Sequence, residues 1–140
     1  GQRQFKHVDN KPGCEVIATG GGSTLEESFC QCVLDGRLPQ LVHDAASHPA
    51  FKQLPATPFR VGAHLSVPIV LADGNVYGTL CAFSLQGNDA LTERDLAKLA
   101  CVARVAAKRI DVRRQRVRDE EMSHWNLEPV ADTPRPTRRF

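Results

Sequence analysis

The chain has 140 residues, 41% of them hydrophobic and 24% charged, with a net charge of +2 at neutral pH. That size accommodates one domain with a real core, and so small a charge does not by itself call for a polyanionic partner. There is no run of eighteen apolar residues and no charged-then-apolar leader, so neither a membrane span nor a secretory start is expected, and five cysteines without framework spacing fit the reduced thiols of a cytoplasmic protein.

Two short strands are expected first, over Gln2–Val8 with Phe5 and His7 on one face, and over Cys14–Ala18 after a turn at Asp9–Gly13. Gly20-Gly21-Gly22 lacks the Lys-Ser/Thr of a phosphate loop and the spacing of a dinucleotide fingerprint, so it reads as a loop leading into a helix. Ser23 and Glu26, or Thr24 and Glu27, are spaced as a capping box for that helix. Leu25, Phe29 and Cys32 or Val33 share a face, and Gly36 supplies a left-handed stop. Gln40–His43 then extends into a short strand, Asp44–Phe51 contains a helical turn, and Leu54–Pro58 is loop.

The most patterned stretch is Val61–Ser84, VGAHLSVPIVLADGNVYGTLCAFS. Leu65, Val67, Ile69 and Leu71 alternate with His64, Ser66, Pro68 and Val70, and then Val76, Gly78, Leu80 and Ala82 alternate with Tyr77, Thr79, Cys81 and Phe83. Period two marks strands with two distinct faces. Asp73-Gly74-Asn75 closes them into an antiparallel hairpin, with positive φ expected at Gly74. Pro68 has no N–H to give a ladder and belongs at an edge-facing position or a bulge.

A long helix follows, with Thr92 and Asp95 at its start in capping-box spacing. Leu96, Leu99, Ala103, Ala106 and Ile110 form one apolar line for the sheet, while Val102, Val105 and Val112 form a second, free to meet a partner helix. Homodimerisation through this helix is expected, with Ala103 and Ala106 permitting close approach and Arg113 and Arg116 on the rim. The run RVAAKRIDVRRQRVR is basic but has no aromatic interleaving, so a solvated helix leading to another signalling unit is favoured over nucleic-acid binding. The expected organisation is a domain over 1–112, a charged linker helix over 113–125 and a disordered Pro/Arg-rich tail over 126–140.

The hairpin sequence resembles the signature of the GAF domain family, in the type found in bacterial sensor proteins beside cyclic-di-GMP cyclase and phosphodiesterase domains. LEESFCQCVLDGRLPQLVHDA resembles that type's helix, turn and short strand, and LTERDLAKLACVARVAAKRI its closing helix, so the resemblance runs from Phe5 to Ile110. It implies an α+β fold, an antiparallel sheet with helices on both faces, and a small-molecule-sensing module controlling an output domain. It also implies a helix and a strand ahead of the first residue, which would make this chain N-terminally incomplete relative to the family. The implied pocket lies between the sheet and Arg37–Arg60, with Phe29, Cys30, Val42, Asp44, His64, Ser66, Thr79, Cys81 and Phe83 as its lining.

The same residues bear on other chemistries. Cys30 and Cys32, with His43, Asp44 and His48 nearby, fail zinc-site spacing because helical residues two apart diverge, so no metal is expected. The absence of a Cys-His dipeptide argues against a covalent bilin, while haem ligation by His43 or His64 stays open. The chain does not match the cysteine pattern of GAF-type free methionine sulfoxide reductases, yet Cys30 and Cys81 can approach each other in such a fold. A cysteine-based redox enzyme and a ligand-free dimerisation module are therefore the alternatives to ligand sensing. The ligand is unknown from sequence.

Overall fold

The computed structural model describes residues 4–13, 15–21, 24–54 and 59–125, with residues 24–28 described by backbone alone. The elements are α1 (Thr24–Leu34), β1 (Leu41–Val42), two short 3₁₀ turns (Ala45–Ser47 and Pro49–Gln53), β2 (His64–Val70), β3 (Val76–Phe83) and α2 (Glu93–Ser123). The strands form an antiparallel sheet in the order β1-β2-β3. The fold is α+β, as expected.

Alternation in β2 decides which face each layer occupies. Val67, Ile69 and Leu71 are buried with Ala103 and Ala107 of α2, flanked by Leu80, Leu96, Leu99, Ala100 and Ile110. Burying a branched aliphatic side chain stabilises by about 1.5–3 kcal/mol, so this layer anchors α2. The even-numbered residues of β2 point the other way. There Ser66 meets Cys81 of β3, and Cys81 meets Cys30 of α1. A second apolar cluster of Phe29, Cys32, Val33, Leu38, Val42, Ala45 and Val61 lies with α1 and the 3₁₀ turns. Helices thus cover both faces.

The hairpin turn follows its residues. Gly74 has φ +82°, its N–H donates to Leu71 O, and the Asn75 N–H donates to Asp73 Oδ1. The register slips between Ile69 and Val70, one residue beyond Pro68, which itself pairs with Thr79. The Ser66 N–H points toward the β1 side, donating to Gln40 O. Two residues on, the Pro68 nitrogen faces that same side beyond the end of the two-residue β1, where no ladder partner is needed. The bulge therefore leaves the inward set His64, Ser66, Thr79, Cys81 and Phe83 on one face.

The end of α1 and the start of α2 follow from their residues. Gly36, at φ +72°, stops α1, and the N–H groups of Arg37 and Leu38 cap Cys32 O. At the start of α2, Asp95 Oδ2 accepts from both the Thr92 N–H and hydroxyl. α2 is continuous over 31 residues, and the packed part ends at Asp111, whose Oδ2 accepts from the Ala72 N–H. Beyond it, residues 112–123 are exposed, with Arg114 lying over the Tyr77 ring.

Three expectations are corrected. No strand forms among the described residues before α1: Phe5 exchanges main-chain hydrogen bonds with Gly20 and Gly21, and the Asn10 side chain donates to Ile17 O, which makes a loop folded on itself. Ala107 rather than Ala106 is buried under the sheet, since i+4 from Ala103 falls nearer the centre of the contact than i+3. Ala103 is itself buried on the chain's own sheet and is unavailable to a partner helix. The expected cap at Ser23 or Thr24 and the expected tail at 126–140 lie outside the described residues.

Candidate functional site

Seven of the nine expected lining residues sit on or against one face of the β2–β3 hairpin. α1 contributes Phe29 and Cys30, β2 contributes His64 and Ser66, and β3 contributes Thr79, Cys81 and Phe83. Cross-strand pairing fixes their layout, with Ser66 opposite Cys81 and His64 opposite Phe83. Directly opposed residues on one face of a sheet have neighbouring side chains.

A polar core occupies the centre of this face. Cys81 Sγ lies 3.2 Å from Cys30 Sγ, 3.3 Å from Ser66 Oγ and 3.4 Å from Thr79 Oγ1. The Cys81 thiol is brought far below its ordinary range, to about 4, first by its hydrogen bond to Cys30 and then by His64, Ser66 and Thr79, which together outweigh burial. Ser66 is fully buried and His64 nearly so.

His64 is the anomaly. Its ring packs 5.8 Å from that of Phe29, and its Nδ1 is buried with no hydrogen-bond partner among the described residues. An unsatisfied buried polar atom costs about 1–3 kcal/mol. A polar group of a bound small molecule would remove that cost.

The other two lining residues do different jobs. Val42 is buried in the apolar cluster with Phe29, to which Phe51, Phe59 and Phe83 add partly buried rings. Asp44 makes no side-chain cap to the 3₁₀ turn after it, contrary to one of its expected roles. Instead Arg60 Nη2 donates to both of its carboxylate oxygens at 2.8 Å, and Arg60 Nη1 donates to Leu85 O at 3.0 Å. Arg60 thereby ties Asp44 and the segment before β2 to the loop after β3. Sequence reading missed this pairing, and the signal available was only that both residues lie in the segment Arg37–Arg60.

The histidines weighed for metal or haem are also placed. His43 Nε2 bonds to Leu91 O, and His48 Nδ1 accepts from the Ala50 N–H. Among the described residues no group of three or more His, Cys, Asp and Glu side chains is arranged to hold a metal ion, and no helix is long and apolar enough to cross a membrane.

An antiparallel sheet with a buried polar cluster on one face and a long, projecting helix on the other makes an α+β module. The chain belongs to the GAF domain family, whose model matches residues 10–111, close to the span Phe5–Ile110 over which the sequence resembles it. GAF domains are generally small-molecule-binding regulatory sensor modules. Comparison with characterised proteins and with solved structures finds no match.

Proposed function

We propose that this GAF domain senses a small polar molecule on the His64 face of its sheet and controls an attached or partner output domain through a homodimeric α2. The output best suited to the hairpin's sequence type is a cyclic-di-GMP cyclase or phosphodiesterase. The observation that carries the ligand reading is His64 Nδ1, buried and unpartnered on the face that carries Ser66, Thr79 and the Cys81 thiol. Strand β2 supplies the mechanism. It presents His64 and Ser66 on one face, and Val67 and Ile69 to α2 on the other. A ligand that binds one packing of β2 better than another shifts the population toward it, and α2 carries the difference beyond the sheet.

A thermal-shift screen of small polar metabolites, run in parallel on the parent and on His64→Phe, tests this. The expected result is a compound that raises the melting temperature of the parent and not of the variant. A compound that stabilises both equally binds elsewhere and overturns the His64 site. Turnover of free methionine sulfoxide with a dithiol reductant would favour the redox-enzyme reading instead, and a dimer indifferent to every compound would favour the ligand-free module.

A further inference from the structure

Two thiols 51 residues apart in sequence meet at the centre of the sheet face. Cys30 Sγ, on α1, lies 3.2 Å from Cys81 Sγ, on β3. Cys30 is buried and Cys81 is partly exposed, so one sulfur is reachable and the other stands behind it. Closing the pair to a bonded separation of about 2 Å requires roughly an ångström of side-chain movement. Hydroxyls surround Cys81, with Ser66 Oγ at 3.3 Å and Thr79 Oγ1 at 3.4 Å. The other two described cysteines are differently placed: Cys32 is buried in the apolar cluster with Phe29 and Val33, and Cys101 is exposed on α2.

We propose that Cys81 and Cys30 form a hydroperoxide-responsive pair, in which Cys81 is oxidised first and Cys30 resolves it to an intramolecular disulfide. The Cys81 thiolate attacks one peroxide oxygen. The S–O bond forms as the O–O bond breaks, and the departing alkoxide takes up the proton that Cys81 gave up, leaving a sulfenic acid and an alcohol, or water when the oxidant is hydrogen peroxide. The Cys30 sulfur then attacks the Cys81 sulfur. The S–S bond forms as the S–O bond breaks, and the hydroxide leaves as water with the Cys30 proton. Two thiols lose two electrons and the peroxide gains them. A dithiol reductant reverses the bond by exchange.

Three features favour this order. Cys81 is the more accessible sulfur, it is the one held as thiolate by its hydrogen-bonding neighbours, and the thiolate is the nucleophilic form. Oxidation also removes a negative charge beside His64, so the redox state changes the face assigned to ligand sensing. The chemistry itself needs no ligand and holds whether or not that assignment does.

The parent chain, treated with hydrogen peroxide, quenched by alkylation and peptide-mapped, should give Cys30 linked to Cys81, lighter by two hydrogen atoms and restored by a dithiol. In Cys30→Ser, which keeps a hydrogen-bond donor at that position, dimedone should label Cys81 after peroxide. In Cys81→Ser, peroxide consumption should fall to the rate set by the remaining cysteines, of which Cys101 is exposed. Linkage of Cys30 to Cys32, or parent peroxide consumption no faster than that of Cys81→Ser, overturns the pair. Mapping of the parent needs no substitution, so a variant that fails to fold leaves the test standing.

Discussion

The backbone of Gly62 lies so close to that of Gln86 that a Cβ at position 62 would overlap main-chain atoms of Gln86. Hydrogen bonds hold the two segments in that contact: Gly62 N–H to Ser84 O at 2.7 Å, Ala63 N–H to Gln86 O at 2.9 Å, and Ser84 N–H to Ala63 O at 2.9 Å. Main chain cannot rotate away as a flexible side chain would. Gly62→Ala should therefore cost about 1–3 kcal/mol or more, the usual range for overpacking. Urea denaturation checks it, and an unchanged midpoint would mean that the two segments separate freely.

Gly74 offers the opposite test, because a Cβ there meets nothing within 4 Å. The whole cost of a substitution comes from its φ of +82°. Gly74→Val should destabilise by about 1 kcal/mol or more, whereas Gly74→Asn, which tolerates the left-handed region, should recover most of the loss. Equal midpoints for the two variants would contradict a backbone origin.

The hairpin and the start of α2 were legible because their determinants are local. Alternation over Leu65–Leu71, Gly74 in the turn and the Thr92–Asp95 pair each act within a few residues. The N-terminal strands were misread for the same reason. The segments around Phe5 and Ile17 have mixed patterns, and strand preference is realised only against a pairing edge, whereas among the described residues the main chain of Phe5 bonds to Gly20 and Gly21. At the site, the period of the strands placed Ser66 and Cys81 on one face. The 3.2 Å approach of Cys30, the Arg60–Asp44 pair and the orphaned His64 Nδ1 depend on how distant segments dock, which no local pattern encodes.

Removing the unsatisfied His64 nitrogen should separate stability from binding. His64→Phe keeps an aromatic ring beside Phe29 and deletes the buried Nδ1. In the absence of ligand the variant should be as stable as the parent or more so, by up to about 1–3 kcal/mol. A marked loss of stability in ligand-free chemical denaturation would show that the bond between His64 and Cys81, which the variant also deletes, outweighs the cost of the unpartnered Nδ1.

The low thiol pKa of Cys81 gives a pH dependence of definite sign. The folded value of about 4 lies below the ordinary 9.0, so between them the unfolded chain binds a proton that the folded chain does not. The resulting stability is complete above pH 9, declines as pH falls, and is gone below about 4. The gap in unfolding free energy between the parent and Cys81→Ser should accordingly widen as pH is raised across that window. Cys30→Ala removes the largest cause of the depression and should move the thiolate absorbance titration of Cys81 upward. A titration unchanged in Cys30→Ala would assign the depression to His64, Ser66 and Thr79 alone.

The outer face of α2 should pair two copies of the chain. Leu96, Leu99, Ala103, Ala107 and Ile110 are committed to the chain's own sheet. Val102, Val105 and Val112 remain 56%, 54% and 54% exposed on the same helix, which continues without a break to Ser123. Spacings of three and seven residues put these valines along one seam, and an isologous two-fold contact sets that seam against itself. Arg109 falls between Val105 and Val112 on that seam and interrupts its apolar line, while Arg116 lies beyond Val112. Sedimentation of the purified chain should show a concentration-dependent dimer, and Val105→Glu should shift it to monomer without lowering the melting temperature of the monomeric fold. A parent chain that stays monomeric at high concentration would eliminate the dimer, whatever the variant does.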